Sequence, residues 1–411
     1  MGADNATTIR WGIMGKDCAK PSDLIRGTCL PKIATGEIAK LFVKDLLIDP
    51  ATRGTHDIRH VVTAVASSSS KESADRFIRH NIASKLSEGI SCTAYGSYEE
   101  LVEDANVDVL YIASPHSHHY QNCMLALESS KPILCEKPLT VNAKQARVLY
   151  ETAQRQNLFL MEAVWTRYFP LSTAVRQYIQ DGLIGEVLRV YVDNSTGVDI
   201  SKLSSTHRYL DKELAGGALL DIGIYPLIWV FQTLYHTREK HQRQKPSRVV
   251  SLLTYEKASG TDQMASVMVE FPSSTPSGTS VAHGIMSTSM ILSNDADGKG
   301  SSGTAVRIQG LEGEIQIVGP VHRPESVRII RKGECRTVHF EIPAGGHGMY
   351  WEADEAGRCI RDGKIQSDVI PWDESVAIME VVDEIRAQAN YSYPEQIEST
   401  EYPLNLKKKA P

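Results

Sequence analysis

The sequence of 411 residues has few features that would tie it to a membrane, a metal or a nucleic acid. Its seven cysteines do not follow the spacing of a metal-binding motif, and the first thirty residues contain no apolar segment of the kind found in signal peptides. A net charge of −6, with no clustered face of lysine and arginine, argues against nucleic acid or an anionic membrane as the main partner. These absences predict a cytoplasmic protein with free thiols.

Long uninterrupted apolar runs are also missing. The most apolar window, residues 216–235, contains Asp221, Gly223 and Pro226, so it does not predict a membrane span. With 42% hydrophobic and 23% charged residues, the chain can bury a large core. Its length predicts two domains, which we place at residues 1–160 and 161–411.

The first domain alternates between short apolar runs and amphipathic segments. Apolar runs begin at Trp11, Val61, Val107 and Ile133, and each is followed by a segment with helical periodicity. Strict alternation of strand and helix predicts a doubly wound parallel sheet, that is, an α/β Rossmann domain.

From about Leu183 the pattern changes to successive strands separated by turns rich in Gly, Ser, Asp or Pro. This pattern predicts an α+β domain with an open, mostly antiparallel sheet. Two helices are expected near the end of the chain, at residues 350–361 and 372–388, and residues 293–304 are expected to form an exposed loop. The expected strands are 187–194, 248–255, 265–271, 281–291, 306–318, 327–331 and 337–342.

A second glycine is lacking where a dinucleotide fold needs one. Such a fold requires a tight glycine turn directly after the first strand, so that backbone amides and a helix N-terminus meet the pyrophosphate. Gly15 is instead followed by Lys-Asp-Cys, and an unpatterned stretch continues to Ile33. A segment with the required residues then begins at Ala34, and joining Met14 directly to it gives a complete strand, turn and helix. The expected phosphate-binding residues are Ala34, Thr35, Gly36, Glu37 and Ile38.

Residues 15–33 are therefore interpreted as an insertion of 19 residues. Our hypothesis is a retained intron in the gene model, because its Gly-Lys start can encode a splice donor and its Ile-Ala end an acceptor. The alternative is a loop insertion at a strand end, which costs little chain entropy to close. A major transcript that carries all 19 codons would exclude the intron.

The end of the second strand also lacks an acidic residue. An NAD site places Asp or Glu there for the ribose 2′-hydroxyl, whereas a 2′-phosphate requires hydroxyl donors and a cation. The chain has Ser67, Ser68, Ser69 and Lys71 at this point, which favours NADP. A serine-rich helix cap with a solvated lysine is the alternative.

A lysine lies at the mouth of another predicted strand. Glu136, Lys137 and Pro138 follow the apolar run that ends at Cys135. Proline disfavours helix in the residue before it, so the chain turns here, at the edge where α/β sheets bind ligands. Lys137 is thus expected to face a ligand, with an exposed turn lysine as the alternative.

Three segments together carry a resemblance to one family. The Glu-Lys-Pro triplet at 136–138, Ala-Ser-Pro-His-Ser-His-His at 113–119 and the glycine-rich segment at 216–226 resemble the glucose-fructose oxidoreductase, inositol dehydrogenase and MocA family. Residues 161–170, and Asp221 followed at four residues by Tyr225, resemble its dimeric dihydrodiol dehydrogenase branch, including fungal NADP-dependent D-xylose 1-dehydrogenases.

The resemblance covers nearly the whole chain outside the insertion and implies roles for particular residues. Catalysis is assigned to Lys137, Asp221 and Tyr225. Cofactor contacts are assigned to Ser114, Pro115, His116, His119, Glu136, Lys137, Trp165 and Arg167. Substrate contacts are assigned to Trp165, Arg167, Arg208, Asp221 and Tyr225. No metal is expected, because the histidines near 116 lack a carboxylate or thiol partner nearby.

The chemistry can also be argued from the residues. Oxidation of a sugar hemiacetal requires a base for the anomeric hydroxyl and a path for hydride to the nicotinamide. We expect Tyr225 to be the base, with Lys137 lowering the phenol pKa by about 1 to 3 from within about 4–6 Å. Asp221, four residues earlier, shares one helix face with it and can orient the sugar or the phenol. The alternatives are a core tyrosine, a capping aspartate and, for Trp165 with Arg167, buried packing.

Two function classes follow. The first is oxidation of an aldopyranose at C1, D-xylose to D-xylono-1,5-lactone, with trans-1,2-dihydrodiol oxidation as the alternative substrate class. The second is a catalytically inactive sugar sensor, since a fold does not fix a function. A homodimer through the C-terminal sheet is expected because residues 187–192 carry apolar side chains on both faces of the strand.

Overall fold

The computed structural model describes residues 6–15, 35–86, 89–273, 278, 281–299 and 303–406. Within these residues the chain forms two β-sheets with helices packed against them. Ala34 and the insertion predicted at 15–33, apart from Gly15, lie outside the described residues. Gly15 itself continues the first strand and pairs with Ser67 and Ala113 on either side.

The first sheet is parallel and six-stranded, in the order β3-β2-β1-β4-β5-β6. Its strands are β1 Thr7–Gly15, β2 Ile58–Ser67, β3 Thr93–Tyr95, β4 Val109–Ala113, β5 Ile133–Glu136 and β6 Leu160–Ala163. The order reverses between β1 and β4, which is the point where ligands bind in open α/β sheets. The doubly wound Rossmann prediction is confirmed. β6 extends this sheet past residue 160, and the exact domain boundary stays a prediction.

Helices alternate with these strands as the pattern predicted. They are α1 Thr35–Leu46, α2 Lys71–Asn81, α3 Tyr98–Val102, α4 His116–Glu128 and α5 Ala143–Gln156. Ser70 caps α2, because its hydroxyl accepts a hydrogen bond from the amide of Ser73 at 3.3 Å. Asn142 caps α5 in the same way, through the amide of Gln145 at 2.9 Å.

Aromatic packing joins α1 to the parallel sheet. Phe42 stacks on Tyr111 of β4 with ring centroids 3.7 Å apart and meets the edge of Trp11 of β1 at 5.3 Å. All three side chains are essentially inaccessible to solvent. Burial of rings this large supplies much of the hydrophobic stabilisation of the domain.

The second sheet has eight strands in the order β14-β13-β12-β11-β7-β10-β9-β8. They are β7 Val187–Ser195, β8 Arg248–Tyr255, β9 Asp262–Pro272, β10 Val281–Ser289, β11 Thr304–Gly310, β12 Gly313–Val318, β13 Ser326–Arg331 and β14 Glu334–His339. Only β7 and β10 pair in parallel, so the mostly antiparallel prediction is confirmed.

One strand prediction was wrong. Residues 306–318, expected as a single strand, form the hairpin of β11 and β12, in which Gly310 pairs with Gly313. The signal was present as two glycines that bracket Leu311-Glu312, a spacing typical of a tight hairpin turn. The apolar alternation on both sides of this turn obscured it.

The remaining helices are α6 Pro170–Gln180, α7 Ile224–Phe231, α8 Tyr350–Arg361, α9 Trp372–Gln388 and α10 Glu395–Glu398. The two closing helices, α8 and α9, have the predicted bounds, whereas β6 and α6 were not predicted. The helical stretch Lys212–His236 is long and apolar enough to cross a membrane, but 94% of its apolar window is buried inside the protein, as in a core helix.

Helix α7 lies directly on the second sheet. Every residue of α7 is buried, and Gly284 of β10 permits its close approach, since a Cβ there would lie 2.4 Å from Cγ1 of Val230. The opposite face of the sheet is open. Val250, Leu252 and Met268 on that face are 48%, 77% and 45% exposed.

Candidate active site

One cavity of about 820 Å³ opens at the carboxyl edge of the parallel sheet. Its walls include residues that directly follow β4, β5 and β6, among them Ser114, Lys137 and Trp165. The second domain adds Asp221 and Tyr225, from the π-helical turn Leu219–Gly223 and the start of α7. Chain segments distant in sequence therefore meet at the edge where this fold binds ligands.

Lys137 lies inside this cavity and is not an exposed turn lysine. Its side chain is 11% exposed, and Nζ donates a hydrogen bond to the carbonyl oxygen of Asp221 at 2.7 Å. Nζ also lies 4.0 Å from Oδ1 of Asp221 and 4.7 Å from the centroid of the Tyr225 ring. Burial lowers the pKa of Lys137 below 10.5, against the opposing charges of Asp221 and Glu136.

A buried carboxylate fixes the loop that carries Lys137. Glu162 of β6 accepts hydrogen bonds from the Leu139 amide at 2.9 Å and from the Ser375 hydroxyl at 2.6 Å. The ring of His119 lies between two carbonyl oxygens, those of Pro138 and Ser114, at 2.9 and 2.8 Å. The backbone on both sides of the cavity is thus held by buried polar groups, which limits movement of the lysine.

Tyr225 shares this corner of the cavity with Trp165. Nε1 of Trp165 donates a hydrogen bond to the Tyr225 hydroxyl oxygen at 2.8 Å, and each residue is 7% exposed. Burial raises the pKa of Tyr225 well above 10, and the charge of Glu136 adds to the increase, while the bond from Trp165 opposes it.

The expectation of a lowered Tyr225 pKa is therefore wrong, because the net shift is upward. The ammonium of Lys137 lies over the face of the phenol ring, where it makes a cation–π contact. Desolvation of the phenolate outweighs the attraction, so the phenol is protonated near neutral pH.

Asp221 is held by cations on several sides. Arg208 binds its carboxylate with two hydrogen bonds, at 2.7 and 3.2 Å, and Nε2 of His116 lies 3.8 Å from Oδ1. Burial alone would raise the pKa of Asp221, but the charges of Arg208 and Lys137 outweigh it and lower the pKa to about 2. The carboxylate is ionised and orients the lysine and arginine side chains around it.

The cofactor-side residues predicted after β4 and β5 all line the cavity, namely Ser114, Pro115, His116, His119 and Glu136. Burial lowers the pKa of His116 to about 3, so its imidazole is neutral. Glu136 accepts a hydrogen bond from the hydroxyl of Tyr111, and burial raises its pKa to about 7. These groups are suited to hydrogen bonding with a ribose or carboxamide.

Arg167 does not lie where it was predicted. Its side chain is fully buried away from the cavity, with Nη1 2.5 Å from Oε1 of Glu374 and Nη2 donating to the carbonyl oxygen of Val369. Its expected contacts with cofactor and substrate are therefore wrong, and the buried-packing alternative holds. Trp165 and Arg167 are two residues apart in the 3-10 turn Trp165–Tyr168, which directs Arg167 toward Glu374 of α9 and Trp165 toward the cavity.

The predicted phosphate-binding side starts at α1. Thr35 is the first residue of this helix, and Gly36 and Glu37 lie in its first turn, where free backbone amides and the helix dipole favour an anion. Ile38 also lines the cavity. Glu37 forms an ion pair with Lys40 at 2.9 Å, which lessens its repulsion of a phosphate.

The predicted 2′-phosphate side lies on the same edge, at the end of β2. The hydroxyls of Ser67 and Ser69 are 2.7 Å apart. Ser68 lies between these two serines in the sequence, and Lys71 is the first residue of α2. Within the described part of the chain, no ion pair or hydrogen bond involves the Lys71 ammonium. Hydroxyl donors next to an available cation fit a phosphate monoester. Ser70 caps α2, so the alternative interpretation of this segment, a helix cap, applies to Ser70.

Several cavity residues were missed by sequence reasoning. They come from the second sheet and from late loops, and they include Asn194, Thr196, His322, Arg323 and His347. The available signal was weak: polar residues at the end of a predicted strand and a Gly-Pro turn before His322. Their contribution depends on which segments of the second domain reach the cavity, which no local pattern specifies.

Comparison with known proteins gives the same picture. Residues 36–164 match the model for the GFO/IDH/MocA oxidoreductase family with its NAD-binding Rossmann fold, and residues 172–316 match the model for the GFO/IDH/MocA C-terminal domain. The chain belongs to the GFO/IDH/MocA family. The match to the Rossmann model begins at residue 36, within α1, and so leaves out β1, which is nevertheless a strand of the parallel sheet. A match that starts after β1 agrees with an interruption between β1 and α1.

Two groups of relatives span most of the chain. The NADP(+) D-xylose 1-dehydrogenase of Hypocrea jecorina is 44% identical over 98% of this chain and 99% of its own length. The human trans-1,2-dihydrobenzene-1,2-diol dehydrogenase is 33% identical over 82% of this chain and 91% of its own length.

Several solved structures share the fold. An aldose-aldose oxidoreductase from Caulobacter crescentus, complexed with glycerol, has a TM-score of 0.70 at 17% identity, covering 93% of this chain and 98% of that one. A 3-ketoreductase from Actinomadura kijaniata, in complex with NADP and TDP-benzene, has a TM-score of 0.66 at 21% identity, with the same coverage. At these identities the likeness concerns the fold alone.

Proposed function

We propose that this protein oxidises D-xylose at C1 to D-xylono-1,5-lactone, with NADP+ as the hydride acceptor. The observation that carries the proposal is the convergence of Lys137, Asp221 and Tyr225 on one cavity of a chain that is 44% identical, end to end, to an NADP-dependent D-xylose 1-dehydrogenase. A polar cavity with an ionised aspartate, an arginine and neutral histidines suits a polyhydroxylated substrate.

The residues present fit NADP on two grounds. The α1 N-terminus offers free amides for a pyrophosphate, and the end of β2 has serines and Lys71 without a carboxylate for a ribose 2′-hydroxyl. Ser114, His116 and Glu136 would hold the ribose and nicotinamide end, whereas His119, predicted as a cofactor contact, has both ring nitrogens at backbone carbonyl oxygens and positions the loop. When bound, NADP+ supplies the carbon that accepts the hydride.

The proton of the C1 hydroxyl goes to a side chain of this site. Burial moves the pKa of Lys137 toward neutrality and that of Tyr225 away from it, so we assign proton acceptance to the neutral amine of Lys137. The Tyr225 phenol donates a hydrogen bond to the oxygen on C1, with its own oxygen held by Trp165. Asp221 and Arg208 orient the lysine and exclude bulk water from it. This proposal departs from the sequence prediction in the base, which was assigned to Tyr225. It also has Asp221 and Arg208 orient the lysine, whereas both were expected to contact the substrate.

A trans-1,2-dihydrodiol dehydrogenase is the second candidate. The mammalian dihydrodiol dehydrogenases, which are 32% and 33% identical to this chain, support this candidate. Oxidation of the dihydrodiol and oxidation of the sugar both remove a hydride from a carbon that carries a hydroxyl group. The apolar rings of Trp165 and Tyr225 could face such a substrate. A catalytically inactive sugar sensor is a third candidate, but it needs neither the lysine nor the tyrosine at this position.

We further propose a cytoplasmic homodimer. On the open face of the second sheet, cross-strand pairing places Val250, Met268, Ile285 and Tyr191 in one row across four strands. A partly apolar row of this kind needs cover, and a second copy of the sheet offers a matching face.

Initial rates of NADPH formation test the function. Purified protein is assayed with D-xylose, other aldopyranoses and a trans-1,2-dihydrodiol, each with NADP+ and NAD+, and the product is identified as the lactone. We expect D-xylose with NADP+ to give the highest kcat/KM. Preference for the dihydrodiol would overturn the substrate assignment. Binding of sugar without turnover would favour the sensor.

The same assay is applied to a protein that lacks residues 15–33. If the insertion interrupts the phosphate turn, its removal strengthens NADP+ binding and raises kcat/KM. Equal cofactor affinity in both forms would show that the segment bulges away from the phosphates. Loss of binding on deletion would contradict the insertion hypothesis.

A further inference from the structure

One histidine of the cavity has a position that the proposed chemistry has not used. His322 follows β12 and lines the same cavity as Lys137 and Tyr225. Its ring centroid lies 5.6 Å from that of Tyr225 and 5.8 Å from that of Trp165. Its imidazole therefore packs beside both aromatic rings of this corner of the cavity.

The backbone at this point is fixed from two directions. Thr166 donates a hydrogen bond from its hydroxyl to the carbonyl oxygen of His322 at 2.6 Å. Nε1 of Trp229 donates to the carbonyl oxygen of Val321 at 3.0 Å. Because both donors are themselves buried, the loop holds the imidazole in a defined place beside Trp165, as a preorganised binding group requires.

The imidazole has hydrogen-bonding capacity to spare. Among the residues that the structure describes, none makes a hydrogen bond to either ring nitrogen of His322, although the residue is half-buried. Burial, aided by the charges of Lys137 and Arg323, lowers its pKa to about 4, so the ring is neutral near pH 7. A neutral imidazole has one donor and one acceptor, which matches a hydroxyl group.

We infer that His322 binds the C3 or C4 hydroxyl of the sugar and thereby selects a sugar over an aromatic dihydrodiol, whose second hydroxyl lies directly beside the oxidised carbon. This inference rests on the proposed function and adds a specificity residue to it. The other walls of this corner, Trp165 and Tyr225, expose rings that either substrate can contact. A site built to hydrogen-bond a hydroxyl discriminates against a ligand that leaves its polar group unpaired.

Three variants test the inference. His322→Phe keeps a flat ring but removes both nitrogens, and His322→Gln restores a donor and an acceptor. His339→Phe, on the exposed strand β14, is the matched control. Thermal unfolding and NADP+ titration establish that each variant is folded and binds cofactor before rates are compared.

In His322→Phe we expect KM for D-xylose to rise about tenfold, because one hydrogen bond to the substrate is lost. The change in kcat should be smaller. The ratio of kcat/KM for D-xylose over the dihydrodiol should fall by about tenfold or more, and His322→Gln should recover part of it. The Kd of NADP+ should stay within about twofold in all variants.

Deoxy sugars identify the hydroxyl. For the wild-type protein, either 3-deoxy- or 4-deoxy-D-xylose should have a kcat/KM about tenfold below that of D-xylose. For His322→Phe, the same deoxy sugar and D-xylose should have equal kcat/KM values. A loss with the 2-deoxy sugar alone would overturn the selection of sugar over dihydrodiol. An unchanged KM for D-xylose in His322→Phe, or a matching loss in NADP+ affinity, would overturn the inference while leaving the function standing.

Failure of the proposed function gives a separate result. If the wild-type protein does not turn over D-xylose, calorimetric titration of its NADP+ complex with the sugar still compares wild type with His322→Phe. Weaker binding in the variant supports the hydroxyl contact, and equal binding overturns it.

Discussion

The ammonium of Lys137 lies over the ring of Tyr225, 4.7 Å from its centroid, and hydrogen-bonds to the backbone of Asp221, which precedes that tyrosine by four residues. The parallel sheet provides the lysine, and the buried helix of the second domain provides the tyrosine. Their contact joins the two domains at the proposed reaction site. Burial moves the pKa values of the two groups in opposite directions, because both are desolvated and only the lysine becomes neutral on losing its proton.

Replacement of Lys137 by Met tests the assignment of the base. The variant keeps the length and volume of the side chain but cannot accept a proton, so we expect kcat to fall by about 10²–10⁴-fold. NADP+ affinity, measured by titration, should change little. Lys144→Met, at an exposed position of α5, is the control. A Lys137→Met protein with more than a tenth of wild-type kcat would remove Lys137 from the mechanism.

The pH dependence of kcat/KM distinguishes Lys137 from Tyr225 as the base. Since the pKa of Lys137 is lowered, the neutral amine accumulates as pH rises, and kcat/KM should increase with pH with the midpoint of the rise below pH 10.5. Tyr225→Phe should lower kcat/KM by about 10²-fold, the loss of one donor to the reacting oxygen, but retain this ascending limb. If the limb disappears in Tyr225→Phe and survives in Lys137→Met, the tyrosine is the base.

Lys71 tests the cofactor preference. Its ammonium stands beside the serines at the end of β2, so Lys71→Met should raise KM for NADP+ about tenfold, because one exposed charge-assisted contact with the 2′-phosphate is lost, and should leave KM for NAD+ unchanged. Lys85→Met, another exposed lysine just after α2, serves as the control. An equal change for both cofactors would place Lys71 away from the 2′-phosphate.

Arg167 should act on stability and not on catalysis. Arg167→Met leaves Glu374 buried with His236 as its remaining ion-pair partner, and we expect a loss of about 3–5 kcal/mol in the free energy of unfolding. Arg331→Met, which breaks a surface pair with Glu312, should cost at most about 1 kcal/mol. Urea unfolding measures both. A variant of normal stability with weakened cofactor binding would restore the original prediction for Arg167.

Leu252 tests the proposed dimer. It is 77% exposed on the open sheet face, and Leu252→Lys should shift the protein from dimer to monomer in light scattering after size exclusion. Leu311→Lys, at a hairpin tip that is 59% exposed, is the matched control and should leave the mass unchanged. A wild-type protein that is monomeric at micromolar concentration would exclude the interface.

Much of the site follows from residues close together in sequence. Glu136, Lys137 and the segment after β4 stand at strand ends, and a parallel sheet gathers its carboxyl ends at one edge, so their proximity could be predicted. Tyr225 and Asp221 were assigned through resemblance, and the structure places them in the same cavity.

Other assignments needed coordinates. Trp165 and Arg167 are two residues apart in a short turn, and only packing decides that one faces the cavity and the other Glu374. His322 carries only a weak local signal, the Gly-Pro turn before it, because its place in the cavity depends on contacts between segments far apart in the chain. The pKa of Tyr225 could not be predicted because the degree of burial, which dominates it, is a property of the whole fold.

The sequence by itself determined the alternation of strands and helices, the parallel order of the first sheet, the two closing helices and the residues at strand ends. These features depend on periodicity, proline and glycine, which act within a few residues. Tertiary structure alone decided which side chains share the cavity, where the ammonium lies on the phenol and which arginine is buried. Those outcomes depend on contacts between segments far apart in the chain, and on the desolvation that such contacts produce.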